Sequence, residues 1–184
     1  MYNFIRQLTE GSKNEIKQIS LPYARDGLGR SLSKQNIDNH YGKLYKAYVD
    51  RFNAREGDAD FNEAGAFLHA IFFANLCPPK GNNKPTEASL ELIEKKFKSW
   101  EKFKDEFLKT AMGIQGSGWV YLSKTGEIKT IKNHEIKQDI VMLIDWWEHS
   151  WYLDYGTDKE KYLNNMWKIV DWQVVNTRLQ GDKK

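Results

Sequence analysis

A chain of 184 residues fits one large domain or two small halves, and 40% apolar with 29% charged residues excludes a disordered chain in favour of a soluble globular one. Its 28 basic residues are interleaved with 25 acidic ones for a net charge of +3, so no stripe able to track phosphates stands out and no nucleic-acid partner is expected. The single cysteine, Cys77, excludes an internal disulfide and a cysteine-clustered metal site; with no signal-peptide pattern and no apolar run near the about 20 residues of a membrane span, the expectation is a cytoplasmic protein without a membrane partner.

In chain order, residues 1–20 are polar and read as an extended or poorly ordered arm. Leu21-Pro22-Tyr23 opens a first half, residues 21–79, in which Gly27 and Gly29 keep the start irregular. Ser33 is placed to cap a helix where Ile37, His40, Tyr41, Leu44 and Tyr48 recur at steps of three and four, which puts His40 on the buried stripe. The pattern fades at Asn53, and residues 55–60 read as a turn. A second helix, apolar on most sides, spans about 62–76 and carries His69. The run from Cys77 to Pro85, with three prolines, is the strongest break in the chain and the candidate boundary between halves.

The second half, residues 86–184, opens with a helix from Thr86 and Glu87 to about Lys96. Ser99 caps the next, with Trp100, Phe103 and Phe107 on one face. After Gly116-Ser117-Gly118, the run Trp119-Val120-Tyr121-Leu122 reads as a strand, residues 124–127 as its turn and 128–131 as the returning strand. The apolar run 139–145 reads as a buried strand ending at Asp145, and two further helical stretches reach about Leu179. Helices, a small three-stranded antiparallel sheet and more helices make an α+β chain.

Four histidines are present: His40, His69, His134 and His149. His40 and His69 sit in apolar helical surroundings, where a lone histidine is usually a satisfied core residue, not a ligand. Asp145 and His149 stand four residues apart at a strand end, so both can face one cavity, although Asp145 also suits a helix cap. Trp146, Trp147 and Trp151 flank that pair, and charged groups among buried aromatics must be paired or metal-bound. A carboxylate with imidazoles suits iron, manganese or zinc.

These segments carry a resemblance. The run Asp145-Trp146-Trp147-Glu148-His149-Ser150-Trp151-Tyr152, the segment Asn39-His40-Tyr41-Gly42-Lys43 with Tyr48-Val49 beyond it, Leu68-His69-Ala70-Ile71-Phe72-Phe73, and Gly116-Ser117-Gly118-Trp119 together resemble the iron/manganese superoxide dismutases, from Leu21 to Leu179. The resemblance implies a helical-hairpin half and an α/β half with the metal between them, His40, His69, Asp145 and His149 as ligands, and disproportionation of superoxide. Iron is the first choice of metal, with manganese as the close alternative, one ion per subunit. Tyr48 and Trp119 would line the substrate cavity, Trp147 would support it, and Glu148 and Tyr152 would meet a partner subunit in a homodimer.

The departures from that family's pattern are specific. A glutamine that contacts the metal's solvent in many members is replaced by Gly65 at one of its two positions and by His134 at the other. Leu44 stands where a histidine commonly pairs with the partner's tyrosine, and Phe72 and Phe73 stand where tyrosine and tryptophan are common. His40 and His69 are only 29 positions apart, so the helical hairpin is shortened and a tetramer is in question. The alternative is a catalytically weak relative kept as a metal-binding or structural interaction protein. A zinc hydrolase using Glu148 as base is a third reading.

Overall fold

The computed structural model describes residues 15–181. The polar arm expected over residues 1–20 therefore lies outside the described residues for 1–14. Residues 15–20 belong to no helix, and Ile16 exchanges two hydrogen bonds with the Asn53 side chain, at 2.9 and 2.8 Å.

Ser33 does cap α1 (Lys34–Asn39), its hydroxyl accepting from the Asn36 amide at 3.1 Å. The chain continues without a break through a π-helical turn, His40–Tyr45, into α2 (Lys46–Ala54). That turn corrects the expected stripe. The buried positions are Asn36, Ile37, His40, Tyr45 and, at 5% exposed, Val49, whereas Leu44 is only half-buried. A π turn adds a residue to the repeat, so the face that regular three-and-four spacing assigns to Leu44 passes to Tyr45.

Arg55, left-handed at φ 59°, stops α2, and Asp58 accepts from the Phe61 amide at 2.9 Å to start α3 (Ala59–Ala74). The connection is tight, as the short hairpin required. α4 (Glu87–Phe97) follows the proline-rich loop, with the Thr86 amide donating to Ser89 Oγ at 3.2 Å. Ser99 caps α5 (Trp100–Met112), which buries Phe103 and Phe107 completely.

Strands β1 (Gly118–Ser123), β2 (Ile128–Lys132) and β3 (Ile140–Asp145) form an antiparallel sheet in the order β2-β1-β3. β1 and β3 are buried at every position, which is why both read as continuous apolar runs. The register sets Trp119 opposite Asp145, so the end of β3 opens beside the start of β1. Three helices follow where two stretches were expected: α6 (Glu148–Tyr155), α7 (Lys159–Met166) and α8 (Trp172–Gln180). Gly156 with Asp158, and then Asp171, divide them by ending one helix and capping the next. The fold is α+β.

One buried polar knot joins the helical hairpin to the sheet. The Asn75 side chain, just past α3, accepts from Leu143 N of β3 at 2.8 Å and donates to Phe72 O and Leu143 O. Arg178 of α8 donates to Asn75 Oδ1, Val141 O and Ile71 O at 3.2–3.3 Å. These bonds fix α3 against β3, and with it the distance between His69 and Asp145.

Candidate metal centre

Four elements deliver one side chain each to a single point. The π turn supplies His40, α3 supplies His69, the last residue of β3 is Asp145, and the first turn of α6 supplies His149. One ligand atom from each lies within 4.8 Å of the others. Asp145 Oδ2 is the hub: the Nε2 atoms of His40 and His149 are each 3.1 Å from it, and that of His69 is 3.7 Å away.

The backbone orients each donor. Asp145 Oδ1 accepts from the Trp147 amide at 2.8 Å, so its capping role and its role as a ligand use different oxygens. Tyr162 donates to the Asp145 carbonyl at 2.9 Å. His69 donates from Nδ1 to the Gly65 carbonyl at 2.7 Å, which fixes its tautomer and leaves Nε2 with a lone pair facing Asp145.

His40, His69 and Asp145 have no solvent exposure. Both ring nitrogens of His40 and Nε2 of His69 lack a hydrogen-bond partner of good geometry. Buried polar atoms are nearly always satisfied, so the two orphaned Nε2 atoms beside Asp145 Oδ2 mark a place for a ligand that is not a protein group. Burial, with the charge of His149, pushes His40 down to about 4, and burial, with the charge of His40, holds His69 well below the usual imidazole range. Burial alone would raise Asp145, but the charge of His149, its hydrogen bond to Oδ2 and the close approach of His40 outweigh it and hold the carboxyl well below its ordinary value. Neutral rings at His40 and His69 beside an ionised carboxylate are the protonation states a cation needs. Three nitrogens and one oxygen, with no sulfur, suit iron or manganese.

The walls are aromatic. His40 packs on Phe72 and Phe73 at 5.4 and 4.8 Å, and His69 meets the edge of Trp119 at 5.0 Å and stacks on Tyr45 at 5.7 Å. Both phenylalanines are fully buried, so the expected apolar wall is present.

A polar chain leads outward from this shell. Trp119 Nε1 donates to the Asn133 carbonyl at 3.0 Å and to His134 Nδ1 at 3.2 Å, and His134 Nε2 lies 3.0 Å from the Tyr48 hydroxyl. An indole N–H can only donate, so His134 Nδ1 accepts and the ring carries its proton on Nε2, directed at Tyr48. Burial, with His149's charge adding and Asp145's opposing, lowers His134 to about 4, while burial and Asp145 raise Tyr48 to about 12. His134 is stacked on Trp147 at 4.6 Å and is no surface residue. Glu148 is exposed, as are Tyr152 at 55% and Leu153 at 47%, all on the helix that carries His149.

Tyr45 and Phe61, which packs on His134 at 4.6 Å, escaped the sequence reading. Tyr45 was hidden by the π turn; Phe61 carried no signal beyond being an aromatic near a helix start.

A mononuclear three-histidine, one-aspartate centre in an α+β chain is thus the class that fold and site define. Residues 85–178 match the family described as iron/manganese superoxide dismutases, C-terminal domain. The chain is 36% identical over 186 residues to the iron superoxide dismutase of Bacteroides fragilis, covering 86% of this chain and 96% of that protein. Similar matches are the iron enzyme of Pyrobaculum aerophilum, 35% identical with 87% and 90% covered, and the manganese/iron enzyme of Porphyromonas gingivalis, 36% identical with 87% and 97% covered. The chain belongs to the iron/manganese superoxide dismutase family.

Proposed function

We propose that this chain disproportionates superoxide to oxygen and hydrogen peroxide, using one iron, or alternatively manganese, held by His40, His69, Asp145 and His149. The observation that carries the reading is the pair of orphaned Nε2 atoms of His40 and His69 converging, with His149, on an ionised, buried Asp145. The metal supplies one-electron redox chemistry between its divalent and trivalent states. Asp145, as the one negative charge among the four donors, balances part of the cation's charge.

The protein's own residues divide the remaining work. Tyr48 and His134 form the polar link between the cavity and its mouth, His134 Nε2–H donating to the Tyr48 oxygen, and a tyrosine raised to about 12 stays protonated. Arg51's positive charge acts on Tyr48, which favours approach of an anion at that end. Trp119 closes the cavity wall and holds His134 in one tautomer. Trp147 stacks on both His134 and His149 and so keeps them parallel.

The proposal extends to the architecture: a helical-hairpin unit over 21–79 and an α/β unit over 86–184, with the ion between them. Glu148, Tyr152 and Leu153 would form the centre of a homodimer interface, since such a cluster of apolar area beside a ligand-bearing helix is otherwise costly to expose. No helix among the described residues is long and apolar enough to cross a membrane, and a cytoplasmic location is proposed with that.

Superoxide dismutation assayed on protein of measured metal content tests the activity. Turnover with iron or manganese, lost together with the metal in His149→Ala, supports it. Stoichiometric metal without turnover would instead leave a binding or interaction protein. For the assembly, Leu153→Arg should halve the mass seen by sedimentation if the interface is real.

A further inference from the structure

The π turn that carries His40 is an uncommon conformation, tighter segments of ordinary α-helix lying on both sides of it. Its effect on the site is large. It places His40 and Tyr45, five residues apart, on the same buried face, where His40 meets His69 edge-on at 5.0 Å and Tyr45 stacks on the same ring at 5.7 Å and 14°. Were the turn to relax to a regular helix, the chain after it would rotate by about 100°, one residue's worth of twist. Leu44 would then occupy the place of Tyr45, and the His69 ring would lose the aromatic surface that keeps its Nε2 facing Asp145.

The segment before the first helix grips this turn from outside. Gln18 donates from Nε2 to the Tyr41 carbonyl at 2.6 Å. Tyr41 donates from its hydroxyl back to the Ile19 carbonyl at 2.6 Å, and the Ile19 amide donates to the Tyr45 hydroxyl at 3.2 Å. Three hydrogen bonds thus join two residues of the extended segment to two residues of the π turn. A fourth contact, Ile16 with Asn53, pins the same segment to α2, beyond the turn.

We infer that Gln18 and Ile19 form a clamp that selects the π-helical register at His40–Tyr45, and that Gln18 is a positioning residue for the ligands His40 and His69. Gln18 touches neither metal nor substrate; it acts through Tyr41 and the turn. The inference rests on the proposal that His40 and His69 hold the ion.

The test uses the metal-loaded full chain and follows metal loss to excess chelator, together with the visible ligand-field spectrum and the thermal midpoint of the metal-free form. Gln18→Ala should release metal about fivefold faster than the wild type, the worth of one hydrogen bond of ordinary strength, and should shift the spectrum. Gln18→Glu, of the same shape but with no donor for a carbonyl, should behave likewise. Asn53→Ala loosens the segment away from the turn; it should lower the metal-free midpoint while leaving metal release within about twofold of wild type. Metal release unchanged in Gln18→Ala, or changed in Gln18→Ala and Asn53→Ala alike in proportion to lost stability, would overturn the clamp. A wild-type chain that takes up no iron or manganese overturns the metal reading and the clamp with it, whereas retention in wild type and loss in His40→Ala keeps the two apart.

Discussion

Gly65→Ala is the substitution whose outcome the geometry specifies most sharply. Gly65 lies in the middle of α3, one turn before His69, and a Cβ there would fall 2.9 Å from Cγ and Cδ1 of the Tyr48 ring. Carbon atoms in contact need about 3.5 Å or more, so the ring must retreat by about half an ångström. Two stability effects then oppose each other. Alanine in place of a helical glycine contributes about 1 kcal/mol, while overpacking costs about 1–3 kcal/mol. The net change is small, a loss of up to about 2 kcal/mol by the same two estimates.

The functional effect is not offset in this way. Tyr48 holds His134 at 3.0 Å, and a retreat of that size takes the pair out of good hydrogen-bond range. A lost hydrogen bond of about 0.5–1.5 kcal/mol corresponds to a turnover about two- to twelvefold slower. Metal content should not change, because the contact to His69 Nδ1 comes from the Gly65 backbone carbonyl, which the substitution retains. The measurement is turnover per bound metal by pulse radiolysis, with the thermal midpoint beside it. Wild-type turnover in a protein with a raised midpoint would show that Tyr48 has room to spare and refute the reasoning.

Further outcomes follow from the same contacts. Metal-free protein should lose stability as pH falls from about 6.5 toward about 4. His40 and His134 have folded values lowered to about 4, so over that window the unfolded chain binds protons that the folded one does not; a flat midpoint between pH 7 and 4 would contradict this. Below that window Asp145, also held low, adds to the loss with the same sign. Asn75→Ala leaves Leu143 N and the Arg178 guanidinium short of a partner and should cost about 2–4 kcal/mol in urea unfolding of the metal-free protein; a loss under 1 kcal/mol, about the worth of one ordinary hydrogen bond, would show that water replaces the side chain.

Much of this protein is written locally. Ser33 and Ser99 cap helices where the sequence places them, because a cap needs only its own side chain and an amide three residues on. The apolar runs of β1 and β3 announced buried strands since both faces of those strands are covered. The resemblance carried by Asp145 to Tyr152, His40 and His69 proposed the ligands before any coordinates did. What came from periodicity alone failed at Leu44 and Tyr45, and the final three helices read as two stretches although their breaks, Gly156 with its positive φ and the caps Asp158 and Asp171, are local.

Convergence was the part no local pattern could contain. The four candidate ligands are spread from position 40 to 149, and their meeting at Asp145 Oδ2 depends on α3 being fastened to β3 through Asn75 and Arg178 and on the π turn rotating His40 inward. His134 illustrates the same division: in sequence it is one loop histidine among polar neighbours, and only its seat between Trp119, Trp147 and Tyr48 makes it neutral, oriented and part of the site. Residue identity determined which chemistry was available to this chain. Long-range packing decided where that chemistry sits, because distances between residues far apart in the chain are set by contacts that neither residue makes on its own.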